Sequence, residues 1–399
     1  MKEGWKLIKL DELCVIERGG SPRPIDAFLT DDADGINWIK ISDATASSKY
    51  IYKTEQKIKP EGIKSSRIVN EGDFILSNSM SFGRPYIMKT NGCIHDGWLV
   101  LRQPKVNPDY LYLVLSSDFV YQQFDRLASG STVRNLNIGL VKSVEIPVPS
   151  ELEQQRIVAI LDEAFEAIAA ARANAEQNRQ NARALFESYL EAVFNHAWQT
   201  GPVVSLSDLA TDITDGDHMP PPKSETGVPF ITIGNIQKDT QKIDFSNTFK
   251  VPHEYFSGLK TNKKPQYGDV LYTVTGSFGI PVLVESNAEF CFQRHIGLVR
   301  PKAGISSNWL YYLLMSPQVF KQAKDGATGT AQKTVSLKLL RSFKVPRVMA
   351  QQQLEAVMKL DALRVETQRL ESLYQRKIAA LDELKQSLLQ QAFSGSGQI

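Results

Sequence analysis

The chain has only three cysteines among 399 residues, Cys14, Cys93 and Cys291. Their number and spacing exclude a paired disulfide framework and a Cys-x-x-Cys zinc site, which fits a reducing compartment. Long apolar runs are also missing. No stretch approaches the roughly 18 apolar residues of a membrane span, and the N-terminal MKEGWKLIKLDEL scatters charges where a signal peptide would be apolar. A soluble, cytoplasmic protein with no membrane partner is expected. The phosphate-cradling pattern Gly-x-x-x-x-Gly-Lys-Ser/Thr and the zinc pattern His-Glu-x-x-His are absent too, so neither nucleotide hydrolysis nor zinc-dependent hydrolysis is offered. Catalytic residues and metal ligands are therefore expected to be none.

Proline and glycine are missing from two long stretches, and there the chain reads as helix. From about Glu153 to Trp198, small or apolar residues recur at Ile157, Leu161, Ala164, Ile168, Ala171, Ala175, Ala182, Leu185, Tyr189 and Ala192, with Asn178 on the same seam. Steps of three and four make a heptad register, which calls for a helical partner. Ala356, Leu360, Leu363, Thr367, Leu370, Tyr374, Leu381, Leu384 and Leu388 repeat the pattern 199 residues later, with Lys377 answering Asn178. A polar residue on an apolar seam fixes register at a cost in stability, so Asn178 and Lys377 are expected to set the coiled-coil alignment.

The globular parts repeat as well, and a chain of this length exceeds one core. Trp38-Ile39-Lys40-Ile41 answers Phe230-Ile231-Thr232-Ile233. Glu71-Gly72-Asp73, Phe82-Gly83 and Pro85 answer Tyr267-Gly268-Asp269, Phe278-Gly279 and Pro281. His95-Asp96-Gly97 is set against His295-Ile296-Gly297, and Ile146-Pro147 against Val345-Pro346, just ahead of each long helix. The expected plan is α+β: two pseudo-repeated α/β domains at 1–150 and 200–349, and two helices at 151–199 and 350–399 forming a long antiparallel coiled coil. About 45 helical residues make a spacer of roughly 65–70 Å.

Motifs for chemistry are thin. Asn107-Pro108-Asp109-Tyr110 resembles an amino-methyltransferase signature, but Asp109 replaces its second proline and no glycine-rich cofactor loop precedes it, so it reads as a helix start. His95 and His295 have no nucleophile pinned nearby. Glu383-Leu384-Lys385 has nuclease-like spacing but lies on the coil. Binding is better supported. Ahead of each coil lies a Gly/Ser/Thr loop followed by polar donors: Ser131 and Thr132 with Arg134 and Asn135, then Thr328 and Thr330 with Gln332 and Lys333. Hydroxyls and backbone N–H groups of such loops suit phosphates, and Arg, Asn and Gln suit base edges. Asn78, Ser79, Ser81 and Arg84, Thr275 and Ser277, and Gln293 and Arg294 are candidates of the same kind. Residues 151–199 carry four basic and eight acidic side chains, and 200–349 carry seventeen and twelve. The first helix is thus a poor DNA ligand and the second domain a permissible one.

The chain resembles the DNA-specificity subunits of type I restriction–modification enzymes. The likeness is carried by Ile146-Pro147-Val148-Pro149, Glu153-Gln154-Gln155-Arg156-Ile157-Val158, Leu161-Asp162 and Leu185–Phe194. It recurs as Val345-Pro346, Gln351-Gln352-Gln353, Leu360-Asp361 and Leu384–Phe393. The second copy departs from the pattern at Met349-Ala350 and Leu354, which bears on its local partner contacts. The resemblance implies a non-catalytic subunit that reads a bipartite double-stranded DNA site, one recognition domain per half-site, with the coil setting the gap. It implies two methyltransferase subunits using S-adenosylmethionine, two ATP- and Mg-dependent restriction subunits, and no cofactor held by this chain. The alternatives are a self-contained DNA adenine methyltransferase and a coiled-coil scaffold without DNA binding.

Overall fold

The computed structural model describes residues 4–78, 82–128, 136–330 and 332–393. The chain divides into two compact units, one formed by residues 1–176 and 376–399, the other by 177–375. Each unit therefore draws on both long helices, Glu151–Thr200 and Ala350–Phe393.

In the first unit, a five-stranded sheet has the order Val15–Arg18, Trp98–Arg102, Phe74–Ser77, Pro85–Met88, Tyr50–Ile51. Its strands alternate inward and outward, as the two-residue pleat period requires. Phe74, Leu76, Leu99 and Leu101 face a core shared with the helix Pro108–Leu115, with Ile157 and Leu161 of the first long helix, and with Leu389, Ala392 and Phe393 of the second. Ile75, Trp98 and Val100 face the opposite way, onto a second core that includes Ile39, Val69 and Ile94. Those residues belong to a second five-stranded sheet, Leu29–Thr30, Gln56–Ile58, Ile36–Ile39, Gly92–Ile94, Arg67–Val69.

The second unit follows the same plan with less sheet: four strands in the order Ala210–Asp215, Ile296–Pro301, Val270–Thr273, Pro281–Leu283, beside three in the order Phe249–Val251, Val228–Ile231, Cys291–Phe292. Its helix-bearing core holds Val270, Tyr272, Val299 and Trp309 against Leu190, Phe194, Val357 and Leu360 of the long helices.

Recurring details show one frame used twice. Gly83 and Gly279 both take a positive φ, 74° and 91°, and each N–H donates to the end of the preceding strand, at Ser77 and Thr273, at 2.9 Å. A Cβ at Gly83 would lie 2.8 Å from Phe124, and one at Gly279 2.6 Å from Phe320, so both backbone angle and space require glycine. Asp73 accepts from Arg102 at 3.2 Å, and Asp269 from Arg300 at 2.7 Å. The start of each long helix is locked by a buried amide. Gln154 Oε1 accepts from Asn107 N and its Nε2 donates to the Pro149 carbonyl; Gln353 Oε1 accepts from Ser306 N and its Nε2 donates to the Val348 carbonyl. Each glutamine thus satisfies backbone groups that burial would otherwise leave unpaired.

The two long helices run antiparallel within each unit. Arg172 pairs with Asp382 at 3.2 Å in the first, and Arg183 with Glu371 at 3.2 Å in the second. Heptad spacing holds through the buried Leu161, Ile168, Ala175 and Ala182. Beyond Ala182 it fails, because the helix packs there onto the core of a globular unit through Phe186, Leu190, Phe194 and Ala197. The expected seam residues Leu185 and Leu384 are 54% and 47% exposed. Asn178 and Lys377, expected to fix register, are corrected likewise: both are exposed, so neither desolvates a polar group on a seam. One residue further on, Arg179 is half-buried and donates to Gln375 at 3.0 Å, and Ile378 is buried.

Candidate nucleic-acid interface

Three stretches far apart in sequence are fastened together in the second unit. The strand Val270–Thr273 runs on into Val274, whose N–H donates to the His295 carbonyl at 2.9 Å and whose carbonyl accepts from Val335 N at 2.7 Å. Gly276 N donates to the Lys333 carbonyl at 3.1 Å, and Thr328 and Thr334 exchange reciprocal backbone bonds of 3.0 and 2.7 Å. The neighbouring turn is closed by Ile296 N on the Gln293 carbonyl at 3.1 Å and anchored by Gln293 N on Ile231 at 3.0 Å. A rigid sheet end therefore presents two loops and a turn, the arrangement in which recognition residues usually sit.

Ser277, Arg294, Thr328, Thr330, Gln332 and Lys333 are exposed there. Among the described residues, no hydrogen bond or ion pair engages the side chains of Arg294, Gln332 or Lys333, so their donors remain available. Thr275 is corrected: it is 6% exposed, and its hydroxyl lies 3.5 Å from that of Thr334. Its role is to fasten the loop. Gln293 is half-buried at the base of the turn.

The first unit has the same junction. Asn78 N donates to the Gly97 carbonyl at 3.0 Å, and the Asn78 carbonyl accepts from Leu136 N at 2.9 Å. Asn78 was expected to contact DNA, yet it is 2% exposed and its amide donates to the Asp96 carbonyl at 2.7 Å. It holds the turn, as a buried amide must find partners. Arg84 is exposed, with its guanidinium 5.3 Å from the centre of the Tyr86 ring. Ser79, Ser81, Ser131, Thr132, Arg134 and Asn135 lie outside the described residues.

The ladders also correct the pairing of the histidines. Trp98 stands opposite Ser77, and Ile296 opposite Thr273. Because Ser77 and Thr273 are counterparts, Gly97 answers His295, and His95-Asp96 answers Gln293-Arg294. The shared His-x-Gly spelling is thus a coincidence two residues out of register. At the tip of this turn one unit has Asp96 where the other has Arg294.

His95 Nδ1 accepts from Gly97 N at 2.9 Å. Burial holds its imidazole below the ordinary histidine range, against the opposing pull of the Asp96 carboxylate. The Ser21 hydroxyl, donating to Asp96 at 2.8 Å, holds that carboxyl below its usual range, helped more weakly by His95 and Arg23. Among the described residues, no group of three or more His, Cys, Asp or Glu side chains could hold a metal ion, and no helix is long and apolar enough to cross a membrane. Sequence reasoning missed the paired locks Gln154 and Gln353, although their spacing of 199 residues, shared with the seam, was a usable signal.

Comparison with known proteins agrees with this two-fold plan. The family model of the type I restriction modification DNA specificity domain matches residues 2–177 and again 202–378. The chain is 21% identical to the type I restriction enzyme EcoBI specificity subunit of Escherichia coli, over 98% of this chain and 86% of that one. It is 22% identical to the MjaVIII specificity subunit of Methanocaldococcus jannaschii, over 86% and 82%. Among solved structures, a chain from work on complex assembly and conformational transition of the type I R-M system is similar with a TM-score of 0.78 at 20% identity, covering 98% of both chains. The HsdS subunit from Thermoanaerobacter tengcongensis is similar with a TM-score of 0.63 at 21% identity, covering 99% of this chain and 98% of that one. At such identity these two likenesses show the fold.

Proposed function

The chain belongs to the DNA-specificity family of type I restriction–modification systems, and from that premise we propose that each of its two units reads one half of a bipartite duplex site. The chain is the non-catalytic specificity subunit, which assembles with DNA and with other restriction–modification subunits. The observation that carries the two-reader proposal is the repeated frame ending in different tips, His95-Asp96-Gly97 in one unit and Gln293-Arg294-His295 in the other. Exposed donors on Arg294, Gln332 and Lys333 support duplex contact in the second unit, the first two suited to base edges and Lys333 to phosphate. Thr328, Thr330 and Ser277 add hydroxyls on the same sheet end.

In this reading two methyltransferase subunits, which bind S-adenosylmethionine, and two ATP- and Mg-dependent restriction subunits complete a cytoplasmic complex, and this chain holds no cofactor itself. The alternatives of a self-contained methyltransferase and of a scaffold indifferent to DNA gain no support from the family match. The test is fluorescence anisotropy of the full chain with labelled duplex across a salt series, paired with a methyl-transfer assay. Affinity should fall steeply with salt, by about 0.9 in log–log slope per phosphate neutralised, and methyl transfer should need the added methyltransferase partner. Salt-insensitive binding, or transfer by the chain alone, would contradict the proposal.

A further inference from the structure

The first unit contains a cleft of about 790 Å³ behind the His95–Gly97 turn. Its walls divide by chemistry. Ile25, Trp38 and Ile41 give it an apolar lining, His95 and Asp96 border it from the turn, and Arg23 and Lys40 bring cations. The His95 and Trp38 rings lie 6.0 Å apart at 51°, so the imidazole is braced by an aromatic that is itself only 4% exposed. Since Nδ1 accepts from Gly97 N, the proton of the neutral ring sits on Nε2, which leaves one N–H donor. Asp96 takes one bond from Ser21 and has lone pairs left as acceptors. Arg23 approaches it at 3.4 Å from a side chain 81% exposed, a loose pairing that leaves the guanidinium available.

The second unit differs at the strand position of Trp38. Phe230 stands at the strand position of Trp38, beside Cys291 as Trp38 is beside Cys93. The pocket that Phe230 lines with Tyr255, Leu259 and Lys263 holds only about 10 Å³. Asp217, whose N–H bonds Phe292 as Gly20 N bonds Ile94, accepts the Tyr255 hydroxyl and lies 3.6 Å from Lys263. Beside Trp38 the first unit thus keeps an open volume with a donor and an acceptor side by side.

A flat apolar slot, a donor–acceptor edge and cations fit one ligand chemistry, since a base offers π-faces and a mixed hydrogen-bonding edge and its phosphate offers negative charge. We propose that this cleft binds a nucleobase carrying its phosphate, with the base against Ile25, Ile41 and His95 and the phosphate toward Arg23 and Lys40. Two sources share that chemistry, a free mononucleotide and an unpaired nucleotide of bound DNA; only the second rests on the DNA-reading role proposed above.

The experiment uses the full chain and two variants that fill the slot from exposed lining positions, Ser42→Trp and Thr45→Phe, each checked by circular dichroism. Calorimetric titration compares dAMP, dGMP, dCMP and TMP with deoxyribose 5-phosphate. Anisotropy compares a paired duplex, the same duplex with one unpaired nucleotide, and that duplex with the unpaired site abasic. At least one base-bearing probe should bind about tenfold more tightly than its base-free control. Both filling variants should abolish that preference while affinity for the paired duplex stays unchanged. A preference confined to mononucleotides assigns the free source, and one for the unpaired nucleotide assigns the DNA source. Equal binding of base-bearing and base-free probes, or a preference that survives both variants, overturns the proposal. Absence of paired-duplex binding would instead overturn the DNA-reading role, with the mononucleotide comparison still deciding the cleft.

Discussion

The two units share what holds the long helices and differ in what their sheet ends present. Gln154 and Gln353 lock the helix starts with the same bonds, Gly83 and Gly279 each turn with a positive φ against an aromatic ring, and Asp73 and Asp269 each hold an arginine. Past the end of the matched strands the likeness stops: Asp96 stands where the other unit has Arg294, and Trp38 borders an open cleft where the other unit has Phe230 beside a pocket of about 10 Å³. Packing constrains the frame atom by atom, whereas an exposed tip can change its chemistry without cost to the core. A duplicated reader can therefore hold two different recognition surfaces on one scaffold.

The largest effect is expected from removing one of the two repeats. A fragment of residues 1–199 lacks Leu389, Ala392 and Phe393, which complete the first unit's core. It carries Leu190, Val193 and Phe194 at the matched positions, and these pack in the second unit's core. Self-pairing would return equivalent side chains to the exposed core, so the fragment should have twice its chain mass by light scattering; a strict monomer across concentrations would show that the repeats are not interchangeable. Within the full chain, Phe393→Ala removes a fully buried ring 5.6 Å from Tyr110, and Phe194→Ala one 4.7 Å from Trp309. Each should cost about 4 kcal/mol by urea unfolding, and unequal losses would show where the frame is asymmetric.

The ion pairs sharpen the contrast further. Asp269→Ala removes the two bonds of 2.9 and 2.7 Å that Arg300 donates to it, leaving the 15% exposed arginine the Lys264 carbonyl and Asp212 at 3.9 Å, and should cost about 2 kcal/mol. Asp73→Ala leaves Arg102 still paired with Glu17 and should cost about 1 kcal/mol. At the exposed tip, Lys333→Ala should leave stability unchanged and reduce the salt slope of DNA binding by about 1. The smallest effect concerns pH. Because the folded His95 lies below its ordinary 6.5, the unfolded chain binds its proton first, so stability is full above that value and falls as pH drops through it toward the folded pKa. His95→Gln should flatten that part of the unfolding profile; an unchanged slope would show that burial of this ring is not linked to stability.

Much of the frame was legible because it rests on periodicity and on glycine. The 199-residue offset located both helices, and matched Gly-Asp and Phe-Gly pairs located the strands and turns between them. The seam was misread beyond Ala182 because a heptad pattern anticipates a helical partner, while Leu190 and Phe194 pack on a globular core. Asn78 and Thr275 were misread because a polar residue beside a glycine-rich loop looks the same whether its side chain faces solvent or fastens the loop from within. The histidines were misaligned because a short shared spelling competed with strand register, which only the hydrogen-bond ladder defines. The cleft had no sequence signal, since its walls come from three separate segments.

Whether one frame carries two independent readers is decided by mapping methylated bases in DNA from cells carrying this chain with the methyltransferase subunit proposed above, first as wild type and then with Arg294→Ala and Gln332→Ala together. A two-part motif with a fixed gap, of which the substitutions relax only one part, is the expected result. An uninterrupted motif, or relaxation of both parts at once, would contradict it.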